Sequence, residues 1–234
     1  MMYYKKGQGL VEYALILLLV ALIVIAGISL AGESTRDVLG RVGLALQGQS
    51  AVYCGSDMSN SDEWQYEGSG TGSWTINDGM MCRVTNYQNG FAYSRCSQTD
   101  KMRNASDYVI HLKNVVLERG QGYGVMFRVQ NYEARPNGYS FQYDPGLNGM
   151  VFRKWINGWE LSQPIAYQRL TGYEWYGIPR DIDLVVKGNT FEAFIDGELV
   201  LTAEDDTWSS GGMGLRTWGL TEVCFDELSI SETD

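Results

Sequence analysis

The sequence predicts an α+β chain: one long hydrophobic N-terminal α-helix followed by an antiparallel β-sandwich. Three observations carry that reading. From Ala14 to Ala31 the chain holds no charged residue, a run about long enough to cross a hydrocarbon core as a helix. Beyond Ala51, short runs rich in Val, Ile, Phe, Tyr and Trp alternate with Gly, Asn and Asp turns, as strands of an all-β domain do. Between the two, Gln47-Gly48-Gln49-Ser50 is a short polar joint. The organisation reads as helix over residues 8–46, linker over 47–52 and sandwich over 53–234.

Glu12 interrupts the mouth of the apolar run. A charge at the centre of a bilayer span costs about 2.5–3.5 kcal/mol, less at the edge, and only Lys5 and Lys6 lie close by in sequence. Past the apolar run, Ser34-Thr35-Arg36-Asp37 resembles a capping signal. Val38, Val42 and Leu46 then fall on one helical stripe. The helix is expected to continue to about Leu46, with a bend near Gly32. A rod of that composition must lie in lipid or against copies of itself.

Gly7, Glu12 and Tyr13, followed directly by the uninterrupted apolar run, resemble the N-terminus of the Flp-type (tight-adherence) branch of type IV pilins. The resemblance covers roughly Lys5 to Gln47. It implies a leader over residues 1–7, removed by a prepilin peptidase between Gly7 and Gln8. It also implies assembly into a helical homopolymer, in which the new amino group at Gln8 of one copy meets Glu12 of the next. Tyr13 completes the motif. Its implied partners are the peptidase, the pilus assembly machinery and, before assembly, the inner membrane. The chain departs from the branch in size, carrying about 180 residues beyond the helix. Two readings compete: a plain membrane anchor, and a secretory signal peptide cut after Ser29-Leu30-Ala31. Lys5 and Lys6 place the C-terminal bulk outside the cell.

Charge divides unevenly. Up to Ser50 four basic residues face three acidic ones, so a chain of net −10 leaves −11 on the rest. Such a domain is repelled by nucleic acid and by anionic lipid.

Strands are expected at Gly72–Ile76, Met80–Thr85, Ala92–Cys96, Tyr108–Leu117, Tyr123–Gln130, Tyr139–Tyr143, Met150–Ile156, Ile182–Lys187, Thr190–Ile195, Glu198–Leu201, Gly212–Thr217 and Glu222–Ile230. Tight turns are expected at Asn77-Asp78-Gly79, Lys187-Gly188-Asn189 and Asp196-Gly197. Alternation turns Val125, Phe127 and Val129 one way and Met126, Arg128 and Gln130 the other. That many strands in one domain fit a single two-sheet sandwich.

SWTINDGMM, YVIHLKNVVLERGQGYGVMFRVQN, DIDLVVKGNTFEAFIDGELVL, GGMGLRTWG and VCFDELSI follow one another across Ser73 to Ile230. In that order they resemble concanavalin-like (laminin-G-like) jelly-roll domains, a superfamily in which many members bind glycans or proteins and some are glycosidases. Tyr139, Trp155 and Trp218 are candidate ligand-stacking aromatics, with Arg128 and Gln130 on an outer sheet surface as polar contacts. Sandwich domains of this type often carry a structural calcium, for which Asp226 is the candidate ligand.

Catalysis is not expected. Glycoside hydrolysis needs two carboxylates flanking the bond, and no Glu-x-Asp-x-x-Glu run occurs; Asp181/Asp183 and Asp226/Glu227 are the nearest pairs. His111 is the single histidine and sits mid-strand, where a hydrogen-bonded structural role is commoner. The four cysteines are even in number, all beyond Ala51 and without a Cys-x-x-Cys motif, which fits disulfides in an oxidising compartment. Cys82 pairs with Cys96 if their strands are adjacent, leaving Cys54 for Cys224. The sequence therefore predicts a surface pilus subunit displaying a sandwich for adhesion or surface-glycan binding. The competing prediction is a membrane-anchored or secreted glycan-binding module that never polymerises.

Overall fold

The computed structural model describes residues 52–68, 74–84 and 89–233. Gly7, Gln8, Glu12, Tyr13 and the expected helix over 8–46 lie outside the described residues. Among the described residues no helix is long and apolar enough to cross a membrane. They form an antiparallel β-sandwich.

Seventeen strands run through the described residues: β1 Val52–Ser56, β2 Trp64–Glu67, β3 Trp74–Asn77, β4 Met80–Val84, β5 Gly90–Ser94, β6 Tyr108–Arg119, β7 Tyr123–Val129, β8 Gly138–Asp144, β9 Gly149–Ile156, β10 Trp159–Glu160, β11 Ala166–Arg169, β12 Pro179–Lys187, β13 Thr190–Ile195, β14 Glu198–Glu204, β15 Gly212–Thr217, β16 Glu222–Phe225 and β17 Glu227–Glu232. One sheet runs β14-β13-β12-β6-β16-β4-β3, with β17 pairing β6 and β1. The other runs β10-β9-β8-β7-β15-β5-β2, with β11 also on β9. The jelly-roll expectation is met by strands that cross repeatedly between the two sheets.

Alternation explains the layers. Ile182, Leu184 and Val186 of β12, with Ile110 and Leu112 of β6, turn into the gap between sheets. Facing them are Val125 and Phe127 of β7, Tyr139 and Phe141 of β8 and Phe152 of β9. Each such side chain contributes about 1.5–3 kcal/mol by leaving water. Asp78-Gly79 and Asp196-Gly197 close hairpins with positive φ at both residues, as a tight turn between twisted strands requires.

Three expectations need correction. The strand expected over Glu222–Ile230 is two, broken at Asp226: β16 pairs β4 and β6, whereas β17 pairs β1 and β6. The alternation expected along β7 fails at Arg128. That residue has φ 48°, and the register against β15 shifts between Gly212 and Gly214. The bulge turns Val129 onto the outer face beside Met126.

The disulfides are Cys54–Cys96 and Cys82–Cys224, so the expected Cys54–Cys224 and Cys82–Cys96 pairs are wrong. The chain changes sheets between β4 and β5, so Cys82 and Cys96 do not lie on neighbouring strands. Cys82 lies directly opposite Cys224 across the β4–β16 pair. Cys96, in the turn after β5, meets Cys54 of β1. The first and last strands are indeed neighbours, but Cys224 stands on the one before last.

Candidate functional site

The outer face of the eight-stranded sheet carries a cluster that the core does not need. On β8, Tyr139, Phe141 and Tyr143 enter the core, so Ser140, Gln142 and Asp144 point outward. On β9 the same rule turns Arg153 and Trp155 outward, and on β15 it turns Arg216 outward between Leu215 and Thr217.

These outward residues converge on Arg216. Its guanidinium lies 4.5 Å from the Trp155 ring and 4.3 Å from the Trp218 ring, stacked between two indoles. Nη1 pairs with Glu160 Oε2 at 2.8 Å, while Nε and Nη2 donate to Asn89 Oδ1 at 3.0 and 2.8 Å. Arg153 Nε meets the other Glu160 oxygen at 2.8 Å. Gln142 Nε2 donates to Glu160 at 3.1 Å, and Trp155 Nε1 donates to Ser140 Oγ at 3.0 Å. Glu160 reaches this face because β10 pairs with β9, setting Glu160 opposite Trp155.

Glycines let aromatic rings lie flat on the sheet edge of the cluster. A Cβ on Gly149 would overlap the Tyr167 ring. At Gly122 (φ 130°) a Cβ would come within 3.1 Å of the Trp218 ring. The result is a buried polar floor, Gln142, Asp144 and Arg216. Around it stands a rim of accessible groups: Asn89, Arg153, Glu160, Tyr167 and Trp218.

Burial dominates the titration of both floor ions. It brings Arg216 down to about 10, against the pull of Glu160 and Asp144, so the guanidinium stays charged at neutral pH. It pushes Asp144 up to about 6, with Glu160 adding to the rise and the Leu147 N–H and both arginines opposing it. Two guanidinium groups thus face two carboxylates, and a buried charge is tolerable only when matched in this way.

Of the residues expected to bind ligand, Trp155 and Trp218 join the cluster and three do not. Tyr139 is fully buried in the core, with its hydroxyl donating to Asp205 Oδ1 at 2.6 Å. Arg128 is not on an outer surface: it is 1% exposed. Its guanidinium donates to the carbonyls of Ser106, Gly188 and Trp208, because the bulge redirects its side chain. Gln130 is exposed, but it ties down a loop by donating to Ser210 O at 2.6 Å. Trp159 is 75% exposed, yet it alternates with Glu160 and so turns away from the cluster.

Asp226 does not fit a calcium ion. Its carboxylate accepts from Asn114 Nδ2 at 3.0 Å, and among the described residues no three His, Cys, Asp or Glu gather as a ligand set. Calcium prefers six to eight oxygens with several carboxylates, and the described residues around Asp226 do not bring several carboxylates together.

A two-sheet antiparallel sandwich with strands crossing between the sheets makes this domain a jelly roll, with the aromatic and guanidinium cluster on one outer face. Residues 55–231 match the family described as 3-keto-alpha-glucoside-1,2-lyase-like domain, and the chain belongs to that family. Among solved structures, the carbohydrate binding module CBM66 from Bacillus subtilis superposes with a TM-score of 0.59 at 21% identity, covering 73% of this chain and 96% of its own. The exoplasmic/lumenal domain of VIP36 in its Ca2+/Man-bound form gives 0.57 at 7% identity, over 73% and 83% of the two chains. The carbohydrate recognition domain of Emp47p gives 0.53 at 15% identity, over 78% and 96%. At these identities the likeness is one of fold. No curated protein matches the chain in sequence.

Proposed function

We propose that the domain is a glycan-binding module, and that the outer face of its eight-stranded sheet is the binding site. The observation that carries this reading is Arg216 held between Trp155 and Trp218 and clamped by Glu160 and Asn89. Aromatic faces stack on the C–H faces of sugar rings, and fixed guanidinium, carboxylate and amide groups meet hydroxyls. The CBM66 and Emp47p neighbours, named for carbohydrate binding and recognition, support the same reading by analogy of fold. Because the cluster's two cations already face two anions within a domain of net −11, the ligand is a neutral, hydroxyl-rich sugar. An array of neutral and anionic glycans, probed with the full-length chain and with Trp218→Ala, tests this. Retention of neutral glycans that Trp218→Ala loses is expected; equal retention by both proteins sinks the assignment.

The binding reading expects no turnover. A 3-keto-glucoside incubated with the protein stays intact. Release of its aglycone would favour a lyase instead, with the buried Asp144 carboxyl as the first residue to test.

A second reading concerns display, and Gly7, Gln8, Glu12 and Tyr13 before an apolar run are its specific observation. On it, the module is carried at the cell surface by a cleaved pilin-like segment that polymerises through Glu12. The two disulfides suit such an oxidising location. N-terminal mass spectrometry of material sheared from cells tests it: a start at Gln8 supports polymerisation, and an intact Met1 a simple anchor.

A further inference from the structure

The outer face of the other, nine-stranded sheet holds a different constellation. β6 lies between β12 and β17, and its register sets His111 opposite Asp183 on one side and Ser229 on the other. Ile110, Leu112, Leu184 and Ile230 turn into the core, so His111, Asp183 and Ser231 share the outward face. His111 Nδ1 lies 2.7 Å from Asp183 Oδ1, and His111 Nε2 lies 3.3 Å from Ser231 Oγ. A carboxylate only accepts, so the Nδ1 proton points at Asp183. That leaves the Nε2 lone pair to accept the Ser231 hydroxyl. The imidazole and carboxylate side chains are 31% and 28% exposed, which leaves the row within reach of a small molecule.

We propose that Ser231 is an activated nucleophile, with His111 as its general base and Asp183 as a positioning residue, and that it accepts acyl groups from small esters. Serine, imidazole and carboxylate in this order are the arrangement that raises a hydroxyl's reactivity. As the Ser231 Oγ–carbon bond forms at the ester carbonyl, His111 Nε2 takes the hydroxyl proton. The ester C–O bond then breaks, and the departing alkoxide takes that proton. Water repeats the sequence at the acyl-serine and releases the acid. β17 is paired on both sides, by β1 and β6, so its amides are committed to the sheet. Without a dedicated oxyanion donor among the described residues, turnover falls short by about 10²–10³-fold, and reactivity shows best as covalent labelling.

The test treats the full-length chain with a fluorophosphonate probe, whose phosphorus bonds to Oγ as fluoride leaves, and maps the adduct by peptide mass spectrometry. Ser231 is expected to carry the label. His111→Gln should slow labelling by about a hundredfold. Asp183→Asn should slow it and move its pH profile, the signature of a disturbed imidazole rather than of lost packing. Ser231→Ala, which removes a single hydroxyl and keeps the fold, should abolish the adduct while leaving glycan retention by the opposite sheet unchanged. The proposal is overturned if Ser231 labels no faster than other surface serines, or if His111→Gln labels at the wild-type rate.

Discussion

Asp144→Asn should stabilise the protein at neutral pH and not at acid pH. Asp144 is 5% exposed, and burial raises its carboxyl from 3.8 to about 6. Well below the unfolded value of 3.8 the acid is neutral in both folded and unfolded chains and costs nothing. Between about pH 4 and 6 the unfolded chain releases its proton and the folded one retains it, so stability falls as pH rises. Above pH 6 the folded protein holds a buried anion. A shift of this size corresponds to about 2–3 kcal/mol. Asparagine keeps the acceptor for the Leu147 N–H, which lies 2.9 Å from Asp144 Oδ1, and removes the charge. Urea unfolding of both proteins at pH 4, 5, 6 and 7.5 isolates the effect, because all other titrating groups are common to both. The difference should be only about 0.5 kcal/mol at pH 4 and approach about 2–3 kcal/mol in favour of asparagine by pH 7.5. A difference independent of pH, or one that favours aspartate at pH 7.5, refutes the reasoning.

The same geometry sets three other outcomes. Arg128→Met should destabilise by about 2–4 kcal/mol, since three carbonyls lose a buried, charged donor at once; a smaller change in chemical unfolding would show that the bulge does not depend on it. Non-reducing peptide mapping should return Cys54–Cys96 and Cys82–Cys224 and no other pair. Opening them should cost about 4 and 5 kcal/mol respectively in the chain-entropy account, from separations of 42 and 142 residues. Arg216→Lys should weaken glycan binding by tenfold or more, read by titration calorimetry, because an ammonium cannot stack between two indoles while bridging Asn89 and Glu160.

Much of the sandwich is legible in the sequence because period-two alternation is strong in β13, in β12 from Ile182 onward and in residues 108–112 of β6, where every second residue is buried. β10 is not, because two residues carry no period, and it exists only as the return of an Asn157-Gly158 turn with positive φ at both positions. β1 lacks an alternating sequence pattern and β2 alternates over only four residues; they are held by β17 and β5. The cysteine pairing fails for a non-local reason: sequence neighbours β4 and β5 belong to different sheets. The site is half legible. Trp155 and Trp218 stand out as aromatics, but Gln142, Asp144, Arg153, Glu160 and Arg216 are ordinary polar residues taken one by one. Their signal lies in the alternation, as polar side chains placed regularly between core aromatics of β8 and beside Leu215 of β15. Arg128 misleads because a left-handed residue inside a strand reverses the facing of the residues after it.

The most direct test is a crystal structure of the protein with a neutral oligosaccharide selected from the array. The sugar should lie on the outer face of the eight-stranded sheet, with a ring against Trp218 and hydroxyls on Glu160, Arg153 or Asn89. A sugar bound on the nine-stranded sheet, or at the sandwich ends away from Arg216, would contradict the account.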